Sequence, residues 1–360
     1  MKKLWIRLGA GLLAAVIAVA AVVLLSSTAD RGKRTDGLFY QVTGIHPDAK
    51  LITVDGEPVT AEEYFYWLAY GCEYLSSYME SSDWNEPLTE DMSYSEYAKT
   101  DALQAAKMFA VVRIMARQNG ITLTQADLDD MKAQRDEYIA YYGDEETYRR
   151  QIELIGVSEE MFDRINGQYY LLDHLTELSV TEGSSLYPAE EELSAYAESK
   201  NYVTARLLFL STAGLAEDAV ADQRALAEDY LSQLQQQSDA DAAYDLLGKM
   251  IEDLGMTLPE GDVTFGNNDT QDTLLQAVLA LEEGAVSDVI ETSNGFYIAI
   301  RRPLNKTAVA KSYYTDHFTQ ARQNAKVVTT DAYENIDAGE FFTALMTLRN
   351  ELAESFTAES

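Results

Sequence analysis

Few residues in this chain have the types and spacing of a catalytic or metal site. The three histidines, His46, His174 and His317, lie far apart in the sequence, without the spacing of metal ligands. Asp316 adjoins His317, but adjacency does not aim a carboxylate at an imidazole as a catalytic triad requires. The single cysteine, Cys72, excludes a disulfide within the chain and has helical spacing with apolar residues, which predicts a buried thiol. The sequence therefore predicts no metal and no cofactor.

The segment from Gly261 to Arg302 has the most informative order of elements. It predicts a short helix from Thr273 to Leu281, then Glu-Glu-Gly-Ala-Val-Ser, then a β-rich run from Asn294 to Ile300. This order resembles the second half of a parvulin-type prolyl isomerase domain, where a helix precedes Gly-x-x-Ser and a closing strand carries Gly-aromatic-His-Ile. Tyr297, within Gly-Phe-Tyr-Ile, takes the place of that histidine.

The parvulin resemblance implies two histidines, a nearby Cys or Asp, and an apolar pocket for the proline ring. Such a site must lower an isomerisation barrier of about 20 kcal/mol. The three polar positions fall here on Leu207, Leu254 and Tyr297, so catalysis is expected to be low or absent. The residues at the pocket positions are Val263, Gln271 and Leu274. Two interpretations stay open: these side chains form a groove for apolar or proline-containing peptide, or they belong to an ordinary core.

The segment from residue 51 to about residue 180 resembles another module. Its opening, ITVDGEPVTAEEYFYWL, predicts a short strand, a turn and a helix that Thr60 and Glu63 begin with a capping box. The phrases NGITLTQADL and YRRQIELIGVSEEMF then predict further helices. The order is similar to that of the helical chaperone domain of SurA/PrsA-type foldases. In that family the C-terminal segment folds back onto the helical domain, and we expect the same here.

A tyrosine repeats every four residues along the first helix of this module. Tyrosine has a broad apolar body and a polar tip, which suits contact with varied unfolded chains. The stripe is equally explained as a half-buried helix face that packs on its neighbours. The stripe consists of Tyr66, Tyr70, Tyr74 and Tyr78.

The N-terminus predicts a membrane segment. Lys2, Lys3 and Arg7 precede an apolar run from Leu8 to Leu25, whose eighteen residues span about 27 Å as a helix. This length favours an uncleaved single-pass anchor in the cytoplasmic membrane over a cleaved signal, although residues 27–29 offer a cleavage site. Either outcome places the bulk of the chain outside the cytoplasm.

Length and charge complete the prediction. The chain has 360 residues, 47 % of them hydrophobic, and a net charge of -33, which predicts globular domains and disfavours nucleic acid as a partner. We expect an α+β protein with these segments: a signal anchor over 1–28, a tether over 29–50, an all-helical SurA-N-like domain over 51–187, an inserted parvulin-like domain over 188–305, and C-terminal helices over 306–360 that pack on the helical domain.

The expected function is that of an extracytoplasmic chaperone or foldase that binds unfolded exported polypeptides. One alternative is an active peptidylprolyl isomerase in which Asp253 or Tyr297 does the polar work. The other is a scaffold subunit of an envelope complex. The sequence leaves a homodimer open.

Overall fold

The structure is a computed structural model that describes residues 34–255, 262–267, 269 and 271–358, the last two by their backbone alone. It is an α+β fold that divides into two compact units. Unit 1 contains the described residues up to 175 and from 319 onward, and unit 2 contains residues 176–318. The predicted anchor lies outside the described residues. Within those residues no helix has both the length and the apolar character needed to cross a bilayer.

The first part of the chain forms helices and two short hairpins. Its elements are α1 Leu38–Thr43, β1 Lys50–Val54, β2 Glu57–Thr60, α2 Ala61–Ser76, β3 Pro87–Thr89, β4 Met92–Ser93, α3 Tyr94–Gln118, α4 Gln125–Tyr142, α5 Glu145–Ile155 and α6 Glu159–Val180. Side chains fix several of the helix starts. Thr60 accepts a hydrogen bond from the backbone N–H of Glu63, and Ser93 and Thr124 each form a capping box. The sequence thus encodes these boundaries locally.

The remaining elements complete both units. They are α7 Glu190–Ser199, β5 Val203–Ser211, α8 Glu217–Gln235, α9 Ala240–Asp253, β6 Val263–Phe265, α10 Thr273–Leu279, β7 Ile290–Thr292, β8 Gly295–Arg302, α11 Lys306–Asn324, β9 Val327–Thr329, α12 Asp331–Glu334 and α13 Ala338–Ala358. The division between the units falls inside α6 and inside α11. The domain boundaries inferred from the sequence stay predictions.

The core of unit 1 contains residues from both ends of the chain. Strand β9 pairs antiparallel with β1, and the Phe65 ring of α2 stacks on Phe341 of α13 with centroids 5.0 Å apart. Phe39 of α1 contacts both rings at 6.0 and 5.9 Å. The expectation of an irregular tether over residues 29–50 is therefore wrong for part of its described length. Burial of Leu38 and Phe39 turns that stretch into a packed helix.

A network of charged side chains lies at the start of α2. The carboxylate of Glu63 is fully buried, and Arg113 of α3 donates to it at 2.7 Å. Arg113 also donates to Glu57 at 3.0 Å and to the amide oxygen of Gln168 at 2.6 Å. Because a buried carboxylate without a cation would be strongly destabilising, Arg113 holds the N-terminal end of α2 in place.

Unit 2 contains a four-stranded antiparallel sheet between Val203 and Arg302. The strand order is β6-β5-β8-β7. The long central strands pair from Thr204 with Arg302 to Ser211 with Gly295. Side chains alternate between the two faces of such a sheet, so one face packs on α8 and α9 and the other packs on α10.

The loop with the Gly-x-x-Ser motif is fixed to β8. The backbone N–H of Gly284 donates to the carbonyl of Arg301 at 2.8 Å. The buried Ser287 accepts a hydrogen bond from the N–H of Ala299 through its hydroxyl at 2.9 Å, and its own N–H donates to the Ala299 carbonyl at 2.8 Å. The motif thus holds this loop against β8 through hydrogen bonds.

Candidate functional site

The α10-facing side of the sheet carries a band of half-buried apolar side chains, which we call the sheet strip. Leu207, Leu274 and Tyr297, three of the predicted site residues, pack against the same core cluster beneath it. Phe209 lies on the same face because it alternates with Leu207 and its ring stacks on Tyr297. The strip consists of Leu207, Phe209, Phe265, Leu274 and Tyr297.

Tyr297 and Phe209 form the aromatic part of the strip. They are direct cross-strand partners, and their ring centroids lie 4.4 Å apart with an interplanar angle of 24°. Burial, together with the nearby Asp272 carboxylate, raises the pKa of the Tyr297 hydroxyl. The phenol therefore stays protonated at neutral pH, where it can donate a hydrogen bond but cannot act as a general base.

The other three residues predicted for this site lie in three different places. Val263 pairs with Ala205, whose side chain belongs to the strip's core, so Val263 projects to the same face. Gln271 is exposed in the turn before α10. Leu254, the residue at the Cys/Asp position, packs with the core on the α8 and α9 side of the sheet. The structure therefore does not bring Leu254 together with Tyr297, because the sheet separates them.

The strip lacks the acid–base groups of a catalytic cluster. Residues 201–303 contain no histidine. Elsewhere, Nδ1 of His46 contacts the carbonyl of Arg34, Nε2 of His174 contacts Asp127, and Nδ1 of His317 contacts the carbonyl of Tyr313. Each of the three imidazoles thus contacts a polar group outside the strip. Asp253, the alternative catalytic carboxylate, is exposed at the end of α9.

The strongest polar cluster of unit 2 includes side chains from β5 and β8. Asp262 accepts a hydrogen bond from Arg206 at 3.1 Å and from the Tyr244 hydroxyl at 2.8 Å, and it pairs with Arg302 at 3.4 Å. The Tyr244 ring lies 3.9 and 4.2 Å from the two guanidinium carbons. Asp262 therefore links the side chains of two neighbouring strands, β5 and β8.

Sequence reasoning missed two aromatic members of the strip. Phe209 of β5 falls on the leucine of the family's Arg-His-Ile-Leu strand, which the resemblance did not mark as a pocket position, and Phe265 of β6 was not marked at all. The alternation within Arg206 to Leu210 was the available signal, because it places Phe209 on the face of Leu207. The parvulin positions alone therefore understate how aromatic the strip is.

The tyrosine stripe divides into a packed part and an exposed part, and Tyr78 lies in the turn after α2 because the helix ends at Ser76. Tyr66 contacts Trp67 edge-on at 4.9 Å, and burial raises the pKa of its hydroxyl. The other three stripe residues, together with Tyr97 of α3, expose between 39 % and 65 % of their surface. This exposed group is the tyrosine patch, which consists of Tyr70, Tyr74, Tyr78 and Tyr97.

Two surface cavities of unit 1 contain none of the predicted site residues. The larger, of 490 Å³, is lined by Trp84 and by carboxylates that include Asp83 and Asp337. Asp83 accepts from the N–H of Asn85 at 2.9 Å, and Asp337 accepts from the N–H of Glu340 at 2.8 Å. These acids stabilise local turns, and the cavity contains no further sign of a ligand site.

No family model and no curated protein matches this chain. Among solved structures, foldase protein PrsA from Streptococcus pneumoniae str. Canada MDR_19A is 20 % identical, and the match covers 80 % of this chain and 98 % of that one at a TM-score of 0.26. PrsA from Bacillus subtilis is 16 % identical over 67 % and 91 % of the two chains, with a TM-score of 0.28. A SurA-like chaperone from Campylobacter jejuni is 12 % identical over 79 % and 99 %, with a TM-score of 0.22.

The chain is similar to PrsA and SurA-like chaperones. The TM-scores are low, so its function has to be inferred from the contacts within each unit.

Proposed function

We propose that the protein is a membrane-anchored, extracytoplasmic chaperone that binds unfolded exported polypeptides, with a parvulin-like domain that binds peptide without efficient isomerase activity. The sheet strip is the observation that carries this proposal. It offers stacked aromatic rings and leucines at the positions of a prolyl isomerase site, and the segment around it contains no imidazole.

The chemistry of the strip supports binding more than catalysis. An apolar, half-buried surface can remove water from the proline ring and flanking side chains of an extended peptide. Stabilising a twisted amide also needs polar groups placed around the carbonyl and nitrogen, and the protonated Tyr297 hydroxyl is a single donor. Catalysis is therefore expected to be weak at most.

The first test measures isomerisation and binding with the same protein. The full chain, reconstituted in neutral nanodiscs, is added to a proline tetrapeptide in a protease-coupled isomerisation assay and to reduced, aggregating insulin. We expect suppressed aggregation with little acceleration of isomerisation. Fast isomerisation would favour the active enzyme, and loss of both effects would favour an envelope scaffold.

Substitutions at Tyr297 locate the activity. Tyr297→Ala removes the ring that stacks on Phe209. The affinity for an apolar proline peptide should therefore fall about tenfold, which is the usual effect of losing one aromatic ring from a binding surface. Tyr297→Phe keeps that ring and serves as the matched control. Any residual isomerase rate should also change in Tyr297→Ala, and an unchanged rate together with unchanged affinity would remove the strip as the site.

The membrane part of the proposal rests on the apolar run from Leu8 to Leu25 and the basic residues before it. Expressed in a bacterial host, the full chain should stay in the membrane pellet after extraction with alkaline carbonate. Recovery of a shortened chain in the soluble fraction would indicate a cleaved signal instead.

A further inference from the structure

The tyrosine patch has an excess of negative charge around it. Residues 66–106 contain eight acidic residues (73, 80, 83, 86, 90, 91, 96 and 101) and one basic residue, Lys99. Lys99 points away toward the C-terminal segment, where its ammonium donates to the carbonyls of Glu334 at 2.9 Å and Ile336 at 3.0 Å. Even with Glu73 paired to Arg349 of α13, the segment that carries the exposed patch has an excess of acidic residues.

One carboxylate lies within the patch itself. Asp101 is one helical turn after Tyr97 on α3, and its Oδ2 lies 3.6 Å from the place that a Cβ on Gly71 would occupy. Gly71 follows Tyr70 and precedes Tyr74 by three residues, so Asp101 is flanked by patch tyrosines from both helices. Within the described ranges, its side chain has no ion pair or hydrogen bond. Partial burial raises its pKa.

An exposed carboxylate between the two helices that carry the patch tyrosines suits a positively charged ligand. Aromatic faces attract ammonium and guanidinium groups, and a carboxylate adds a charge-assisted hydrogen bond. A neutral apolar segment would use the rings and leave Asp101 partly desolvated. A second copy of this chain is disfavoured as the ligand, because each copy has a net charge of -33.

We propose that the tyrosine patch binds lysine- and arginine-bearing segments of unfolded polypeptides, whose cationic groups contact the tyrosine faces and the Asp101 carboxylate. This proposal rests on the chaperone function proposed above and names a substrate class for its unit 1. The patch would select basic, partly apolar stretches of a client, whereas the sheet strip takes neutral apolar ones.

The test compares two unstructured peptides that differ only in charge. One contains apolar, serine and lysine residues, and the other has glutamine at every lysine position. Their affinities for the full chain in neutral nanodiscs are measured by fluorescence anisotropy, with empty nanodiscs as the blank. We expect the lysine peptide to bind more tightly, and added salt to weaken its binding because salt screens exposed charges.

Variants separate the charge from the rings. Asp101→Asn should weaken binding of the lysine peptide about threefold, the range of one exposed ion pair, and leave the glutamine peptide unaffected. Asp222→Asn makes the same change of net charge on an exposed residue of unit 2 and should have no effect. Tyr74→Leu keeps apolar area but removes the aromatic face, so the lysine peptide should again lose about threefold.

The outcomes distinguish the two proposals. If both peptides bind equally and Asp101→Asn changes neither, the cation site is overturned while the chaperone function stands. If neither peptide binds and the full chain does not suppress aggregation, both proposals fail. Because Tyr74 and Asp101 are exposed, unchanged circular dichroism and melting are expected for these variants.

Discussion

The sheet strip and the tyrosine patch are both aromatic surfaces, but their surroundings differ. In the strip, Tyr297 is half-buried, stacks on Phe209 and lies over an apolar core. In the patch, Tyr74 exposes 61 % of its surface and contacts the Tyr78 ring at 5.0 Å, and Asp101 lies beside Gly71 in the same surface. The strip is thus a mainly apolar surface with the Asp272 carboxylate near Tyr297, whereas the patch is an exposed surface with Asp101 beside it.

The difference shows how secondary structure decides what a tyrosine does. A β-strand alternates its side chains between two faces, so Tyr297 shares one face with leucines while charged neighbours such as Arg302 lie on the other. On a helix, residues four apart form one exposed stripe, and acidic residues of the next helix are adjacent to it. One chain therefore presents two surfaces that suit different parts of an unfolded client.

The largest expected effect is a loss of stability in unit 1, the unit that contains the tyrosine patch. Arg113→Met removes the cation that donates to the buried Glu63 carboxylate at 2.7 Å and leaves only the more exposed Arg164 at 3.6 Å, which should cost about 3 kcal/mol in the free energy of unfolding of unit 1. Urea unfolding followed by tryptophan fluorescence measures this, because Trp67 and Trp84 lie in unit 1 and unit 2 has no tryptophan.

Arg117→Met is the matched control for that change. Arg117 is 64 % exposed and pairs with Glu57, so its loss should cost less than about 1 kcal/mol. Equal effects of the two substitutions would contradict the role of Arg113 at the start of α2.

A second substitution should destabilise the sheet that carries the strip without affecting the tyrosine patch of unit 1. Gly295 has φ +148°, and a Cβ there would lie 2.1 Å from the carbonyl oxygen of Leu210. Gly295→Ala should therefore destabilise unit 2 by on the order of 3 kcal/mol. Hydrogen exchange of β5 and β8 amides should accelerate, and the neutral proline peptide should bind less tightly while the lysine peptide retains its affinity.

Gly248→Ala provides the comparison within unit 2. Its new Cβ would meet only the flexible end of Arg206, at 3.2 Å, so a small effect is expected. If Gly295→Ala were equally mild, the account of the β7–β8 turn would be wrong.

Two members of the stripe should respond differently to truncation. Tyr66→Ala removes a ring packed on Trp67 and should cost about 2 kcal/mol, whereas Tyr78→Ala on the exposed end should stay within about 0.5 kcal/mol. The midpoints of urea unfolding give both values. Similar losses at the two sites would mean that the stripe is a continuous packing face.

The smallest expected effect concerns pH. Burial raises the pKa of Asp101 above 3.8, so its carboxylate takes up a proton earlier than an ordinary one as the pH falls. Protonation removes the negative charge, and affinity for the lysine peptide should decline over that range by about threefold. Asp101→Asn should abolish this pH dependence, and binding of the neutral peptide at the strip should not share it.

Much of the fold follows from local signals in the sequence. Thr60 begins α2 where its side chain predicts a cap, and the alternation of β5 places Leu207 and Phe209 on one face. Burial of Phe39 was missed, because one of its two ring partners, Phe341, lies more than three hundred residues later in the sequence. The sequence also left open whether the tyrosine patch is exposed, because periodicity identifies a helix face without showing what covers it.

The most direct test of the account maps where the two peptides bind. Each carries a photoreactive group, is irradiated with the full chain in neutral nanodiscs, and is located by mass spectrometry. The neutral proline peptide should cross-link near Leu274 and Tyr297, and the lysine peptide near Tyr74 and Tyr97. Cross-linking of both peptides to one surface, or of neither to these residues, would contradict two chemically distinct binding surfaces.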